Sequence, residues 1–443
     1  MTAMKTRIAV LLFAALASSG CSIFKKGAPK TPVLGERVPV LIAEVGVEVD
    51  PATASIPMVL PEPVANTEWG QAGGNASKSV GHVALGNALG NAFSVKIGYG
   101  TTLTERLASP PVVGGGRVYT IDANSTVRAF DAQTGGQAWE SQFGVEKNNS
   151  ASLFGGGVAY ENNRVYATNG LGFVAALDTR NGGTIWQVRP GGPLRGSPTV
   201  VGDTLYVVSQ DNQIYSLKTS DGSTNWSNAA ALEIAGVFGT AAPAFGQGTV
   251  VAGFSSGELN AYRYENGRLV WQDALSRTSI STSVSSLSDI DASPVIDGGQ
   301  VYALGQGGRM VALELISGQR IWELNIAGIA TPWVAGDWIF VVTDDAKLIA
   351  IAKTTGKIRW INQLPAFERE KSKRGQITYL GPVLAGGRLI VVGSNGTLIN
   401  FDPATGSYQS QTRVGARISL PPVVANSTLY VLDNDGMLHA FRE

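Results

Sequence analysis

The chain has 443 residues with 55 glycines, nine tryptophans and only 15% charged residues, a mixture suited to many short strands joined by tight turns. Lys plus Arg and Asp plus Glu number 34 each, so there is none of the excess positive charge that a nucleic-acid binder carries. Two histidines and one cysteine exclude an internal disulfide and leave little material for a zinc or redox site, so neither metal nor cofactor is expected.

Residues 1–20 read as a secretion signal. Lys5 and Arg7 form its basic start, and residues 8–17 form an apolar run too short to span a bilayer. Ser18-Ser19-Gly20-Cys21 follows, which resembles a bacterial lipobox with Ser18 where Leu is usual. The resemblance implies that Cys21 becomes the acylated first residue of the mature chain. Ser22, in place of the Asp that favours retention at the inner membrane, implies the periplasmic face of the outer membrane. Residues 21–63 are then the lipidated cysteine and a tether, punctuated by Pro29, Pro32, Pro51, Pro57, Pro61 and Pro63.

From residue 64 to residue 443 the sequence repeats. An apolar strand ends in a polar turn residue, Gly stands four positions later, and Trp four positions after that. Asp131, Gly135 and Trp139 are the first such set, and Asp178, Gly182 and Trp186 the second. Sets ending at Trp226, Trp271, Trp322 and Trp360 follow, and in the seventh, after Gly406, Ser410 stands where Trp belongs. A small residue before proline recurs ahead of the repeats, as at Ser109-Pro110, Ser197-Pro198 and Ser293-Pro294, with Gly156-Gly157-Val158 substituting once. The count of strand entries is eight. Four strands per repeat and this period predict an all-β, eight-bladed β-propeller of four-stranded antiparallel blades. The tryptophans are expected between blades as core. The last blade lacks an outer strand, and residues 64–71 with Trp69 are expected to supply it, closing the ring with an N-terminal strand.

This repeat is similar to that of pyrroloquinoline-quinone (PQQ) enzymes and their non-enzymatic relatives. Lipobox, blade count and N-terminal closure together resemble the BamB family, propeller lipoproteins of the outer-membrane β-barrel assembly machinery. The most specific match is Leu287-Ser288-Asp289-Ile290-Asp291, the family's Leu-Ser-Asp-Val-Asp run. The resemblance implies a non-enzymatic scaffold with no cofactor. Its partners would be the periplasmic domains of the barrel-forming subunit, BamA, other subunits of the complex and unfolded outer-membrane proteins. It further implies that Asp289 and Asp291 contact that partner together with a second loop, Leu-x-Leu-Arg-Gly in the family. Ala235-Gly236-Val237-Phe238-Gly239 is the matching stretch, with Phe238 in place of Arg. Ala235, Val237 and Phe238 are thus expected as an exposed apolar anchor rimmed by the two carboxylates. Turn capping is the competing role for Asp289 and Asp291, and local core packing for Phe238. The rival functions are a PQQ-dependent dehydrogenase and a periplasmic ligand binder using the central channel. Asp344-Asp345, the other close carboxylate pair, reads as turn chemistry, and the charge run over residues 367–374 as a solvated or docking loop.

Overall fold

A computed structural model describes residues 47–144, 155–232, 241–275 and 288–443. Eight four-stranded antiparallel sheets account for nearly all of its regular structure. Blade 1 shows the pattern: Val112–Gly114, Arg117–Ile121, Thr126–Asp131 and Gln137–Gln142 pair in chain order from the inside outwards. Blades 2 to 7 span 156–188, 199–229, 244–274, 295–324, 333–363 and 379–413 in the same way. First strands of successive blades touch one another from blade 1 to blade 7, which places them around a central axis. The second and third strands are almost wholly buried, as in Thr204–Val208, because each is covered on both faces by neighbouring blades.

The turn chemistry explains the repeat. Asp131 Oδ1 accepts hydrogen bonds from the backbone of Gln133 and Thr134, and Gly135 at φ 74° completes the reversal. Those bonds, with the Thr134 hydroxyl, hold the Asp131 carboxyl below its ordinary pKa. A side chain at this glycine would also collide with the preceding blade: a Cβ on Gly182 would lie 2.6 Å from the Trp139 ring, and one on Gly222 2.7 Å from Trp186. Each tryptophan therefore packs face-on against the glycine turn of the next blade. Its indole N–H donates to a carbonyl in that same turn, from Trp139 to Thr179 (2.7 Å) through Trp360 to Pro403 (3.1 Å). The same bond recurs at Trp186, Trp226, Trp271 and Trp322. One residue type thus supplies both buried area and a satisfied polar group at six blade junctions.

Blade 8 consists of Val423–Ala425, Thr428–Leu432 and Met437–Arg442, completed from the N-terminal side by Gly90–Lys96. Closure by an N-terminal strand is therefore as expected, but the strand is not 64–71. Phe93 pairs with Ala440, the register position that Trp139 holds opposite Ala129, and its ring lies against Gly135 of blade 1. Trp69 sits elsewhere. Residues 66–83 run round one end of the ring and touch every blade in turn. Asn66 bonds Val424 of blade 8, Trp69 pairs with Val113 of blade 1, and the Gly70 carbonyl accepts from Tyr160 of blade 2. The Gln71 amide bonds both backbone groups of Val200 in blade 3 (2.7 and 3.1 Å). Ala76 and Ser77 accept from Phe245 and Ile296 of blades 4 and 5, Gly81 from the Trp333 indole of blade 6, and Val83 pairs beside Leu384 of blade 7. A strap satisfying one inner strand after another has no need of the alternating pattern that marks a strand.

Residues 47–63, expected to belong to the tether, lie along blade 6. Val49 bridges Ile358, and the short helix Pro51–Ser55, capped by Asp50, presents carbonyls to the Arg359 guanidinium. The charge run forms an exposed hairpin of Phe367–Arg369 and Arg374–Gln376.

Candidate partner-binding face and central channel

The channel encloses a cavity of about 640 Å³. Its floor is the strap, with Trp69, Gly73 and Lys78, and its walls are largely residues that precede the first strands of the blades, such as Pro110, Ser197, Ser293 and Leu420. Trp69 stacks on Trp333 at the floor, ring centres 6.0 Å apart. Lys78 is wholly buried there. Its Nζ donates to Thr199 Oγ1 at 3.1 Å, and burial pulls its pKa down to about 7.

On the wall, the two predicted aspartates meet an arginine that sequence reasoning passed over. Arg195 Nη2 lies 2.6 Å from Asp289 Oδ1 and 3.3 Å from Asp291 Oδ1, with Arg195 4% and Asp289 1% exposed. The backbone holds each partner in place. Arg195 N–H donates to Val208 and its carbonyl accepts from Gly156, tying it between blades 2 and 3. The Asp289 carbonyl accepts from Gln306, and Ile290 N–H donates to Phe254, tying that loop between blades 4 and 5. Ser288 Oγ adds a bond to the Ser255 carbonyl at 3.1 Å. The guanidinium therefore spans from the entry of blade 3 to the entry of blade 5.

The expected exposed carboxylate rim is corrected by this geometry. Asp289 is interior, Asp291 nearly so, and neither caps a turn through its side chain among the described residues. Burial, and then the charge of Asp289, push the Asp291 carboxyl well above the carboxylate range, and Arg195 opposes them only in part. One arginine thus faces one carboxylate at close range and a second that favours its protonated form. Cys21, Ala235, Val237 and Phe238 lie outside the described residues. Asp345 bonds Lys347 and Thr343 as turn chemistry requires, while burial raises the pKa of its neighbour Asp344.

Arg195 had a signal in the sequence. Leu194-Arg195-Gly196 stands immediately before Ser197-Pro198, and so reproduces the Leu-Arg-Gly of the second partner loop one repeat earlier than the alignment with residues 235–239. Where that loop has Phe238 in place of arginine, the guanidinium beside the aspartates comes from the neighbouring blade.

The wall does not suit the calcium and quinone of the enzymes that share this repeat. Such a site needs carboxylate oxygens free to face a cation, and here the Arg195 guanidinium is bound where they converge. Among the described residues no three His, Cys, Asp or Glu side chains gather into a metal-binding group.

Comparison with known proteins places this geometry. A family model described as outer membrane protein assembly factor BamB matches residues 88–153, 123–362 and 368–443. The protein of that name from Yersinia pestis is 29% identical over 336 residues, covering 75% of this chain and 83% of its own. Its namesake from Salmonella typhimurium is 29% identical over 374 residues, covering 74% and 83%. Among solved structures, BamB from Moraxella catarrhalis superposes with a TM-score of 0.67 at 18% identity, covering 80% of this chain and all of that one. A europium-containing methanol dehydrogenase scores 0.68 at 13% identity, covering 85% and 98%. At such identities the last two attest the propeller alone.

Proposed function

Since the chain belongs to the family of the outer membrane protein assembly factor BamB, we propose that it serves the same machinery as a non-enzymatic scaffold. In this reading Cys21 is acylated and holds the propeller at the periplasmic face of the outer membrane. The end of the ring opposite the strap binds the periplasmic domains of BamA, through the loops around residues 235–239 and 288–291. Holding those domains in one orientation assists insertion of outer-membrane proteins.

The observation that supports the face is the buried Arg195–Asp289–Asp291 cluster. Ion clusters inside a protein are expensive to desolvate, and an apolar replacement is often as stable, so a retained cluster is better read as fixing a geometry. Asp289 then acts as a positioning residue: it fixes the 288–291 loop, whose half-buried Ser288 remains near the surface. Val237 and Phe238 provide the apolar contacts beside it.

Co-purification tests this directly. The native full-length chain should retain BamA. Asp289→Ala with Asp291→Ala should lose it while the far-ultraviolet dichroism of the propeller persists. Retention of BamA by a folded double variant would remove the face from consideration. Acylation is tested separately, because palmitate labelling should vanish in Cys21→Ser.

A further inference from the structure

Residues 51–67 carry one charge, Glu62, in a stretch otherwise made of alanine, proline, small polar and aliphatic residues. Met58 and Leu60 turn inward onto the main core, while Ile56, Val59 and Val64 turn outward and are 51%, 75% and 66% exposed. Pro57, Pro61 and Pro63 between them are exposed as well, and Val49 adds another exposed aliphatic side chain just before the helix. Apolar residues scattered singly over a surface need no explanation, but a row of them along one segment does.

The segment is pinned along its length, so this exposure is built in. The Arg359 guanidinium bonds the carbonyls of Thr53 and Ile56 and lies 5.3 Å from the centre of the Trp338 ring. His82 clamps the middle. Its Nδ1 donates to the Pro61 carbonyl at 2.7 Å, and its Nε2 accepts from the Gly387 N–H at 2.9 Å. Val64 N–H donates to the His82 carbonyl, and the Val64 carbonyl accepts from Ala84. Pro61 also sits against Gly336, where a Cβ would come within 3.1 Å of its Cδ. Gly336 and Gly387 belong to the turns that join first and second strands in blades 6 and 7. The segment therefore crosses the end of the ring on which the strap lies, away from the loops that open each blade.

Cys21 and Val47 are 26 residues apart, so an anchor at Cys21 holds Val47 within about 90 Å of the bilayer even at full extension. A second contact with a surface to which the chain is already tied is intramolecular, and a patch too weak to hold a membrane alone becomes effective. We propose that Ile56, Val59 and Val64 dip into the headgroup region of the bilayer, setting the strap end of the propeller on the membrane and turning the entry loops away from it. The outward row has no aromatic side chain, the usual anchor of a protein interface. This contact rests on the acylation of Cys21 and adds to it an orientation, which a lipid on a tether does not set.

The test uses the full acylated chain, reconstituted into vesicles of phosphatidylethanolamine and phosphatidylglycerol that contain a nitroxide-labelled lipid. With Cys21 acylated the chain has no other thiol, so Val59→Cys and Lys371→Cys each accept one fluorophore. Lys371 lies on the hairpin between the outer strand of blade 6 and the first strand of blade 7, at the opposite end. The lipid should quench the probe at position 59 several-fold more than the probe at 371. Ile56→Glu with Val64→Glu, both at exposed positions, should remove that difference without lowering the melting temperature. Anchor and contact fail differently. A chain that does not float with the vesicles removes the anchor and the contact with it. An anchored chain whose probe at 59 is quenched no more than that at 371, or a difference that the glutamate variant leaves intact, overturns the contact and spares the anchor. Shielding of position 59 that follows protein density and not the lipid quencher would also overturn it, assigning the row to a second copy of the chain.

Discussion

Arg195 faces two carboxylates and fully matches one, and the consequences are measurable at each of the three positions. Arg195→Met leaves Asp289 buried without its cation, which should cost about 3–5 kcal/mol in denaturant unfolding. Asp291→Asn acts the other way. A carboxyl whose folded pKa lies above its unfolded value penalises the fold increasingly as pH rises above about 4. The variant should therefore gain stability over the native chain at pH 8 and show little gain near pH 4. Lys78 carries the opposite sign, because its folded pKa, near 7, lies below the unfolded one. Its penalty is complete below pH 7 and fades towards pH 10, so Lys78→Met should raise the melting temperature at pH 6 and less so at pH 9. Thermal scans of both variants across this range would reveal the crossed trends. Parallel trends would contradict the assignment of charges within the channel.

At the scale of the strand and turn, much was legible in the sequence. The eight entries, the Asp-Gly turns and the inter-blade tryptophans follow from residue types whose conformations and burial leave few alternatives. The closing strand was misplaced for an equally physical reason. Trp69 has the residue type of the repeat, but lacks an alternating strand around it, whereas Phe93 has the strand and a smaller ring. Register decides between them, and register is fixed by pairing with Met437–Arg442, residues more than 300 positions away. The candidate site was less legible still. Asp289 and Asp291 were visible as a motif, yet their burial depended on Arg195, which comes from two blades earlier and belongs to no local pattern that includes them. Phe93→Asp should expose the difference between the two candidate closures: a charge against Gly135 in place of a half-buried ring should cost roughly 1–3 kcal/mol. A negligible effect would return closure to residues 64–71.

Across the whole molecule, a propeller has one weakness, the junction where the first and last strands meet. This chain secures it twice. Gly90–Lys96 completes blade 8, and the strap over residues 66–83 ties that junction to every other blade from the floor of the channel. The opposite end carries the entry loops, including the rigid 288–291 segment, and it is this end that the proposed function uses. The most direct measurement is photocrosslinking in living cells from single positions on the molecule. Probes at Val237, Phe238 and Ser288 should trap BamA, while a probe at Lys371 on the exposed 367–376 hairpin should give much less of that product. Crosslinks to BamA from Lys371 but none from Val237, Phe238 or Ser288 would contradict the account.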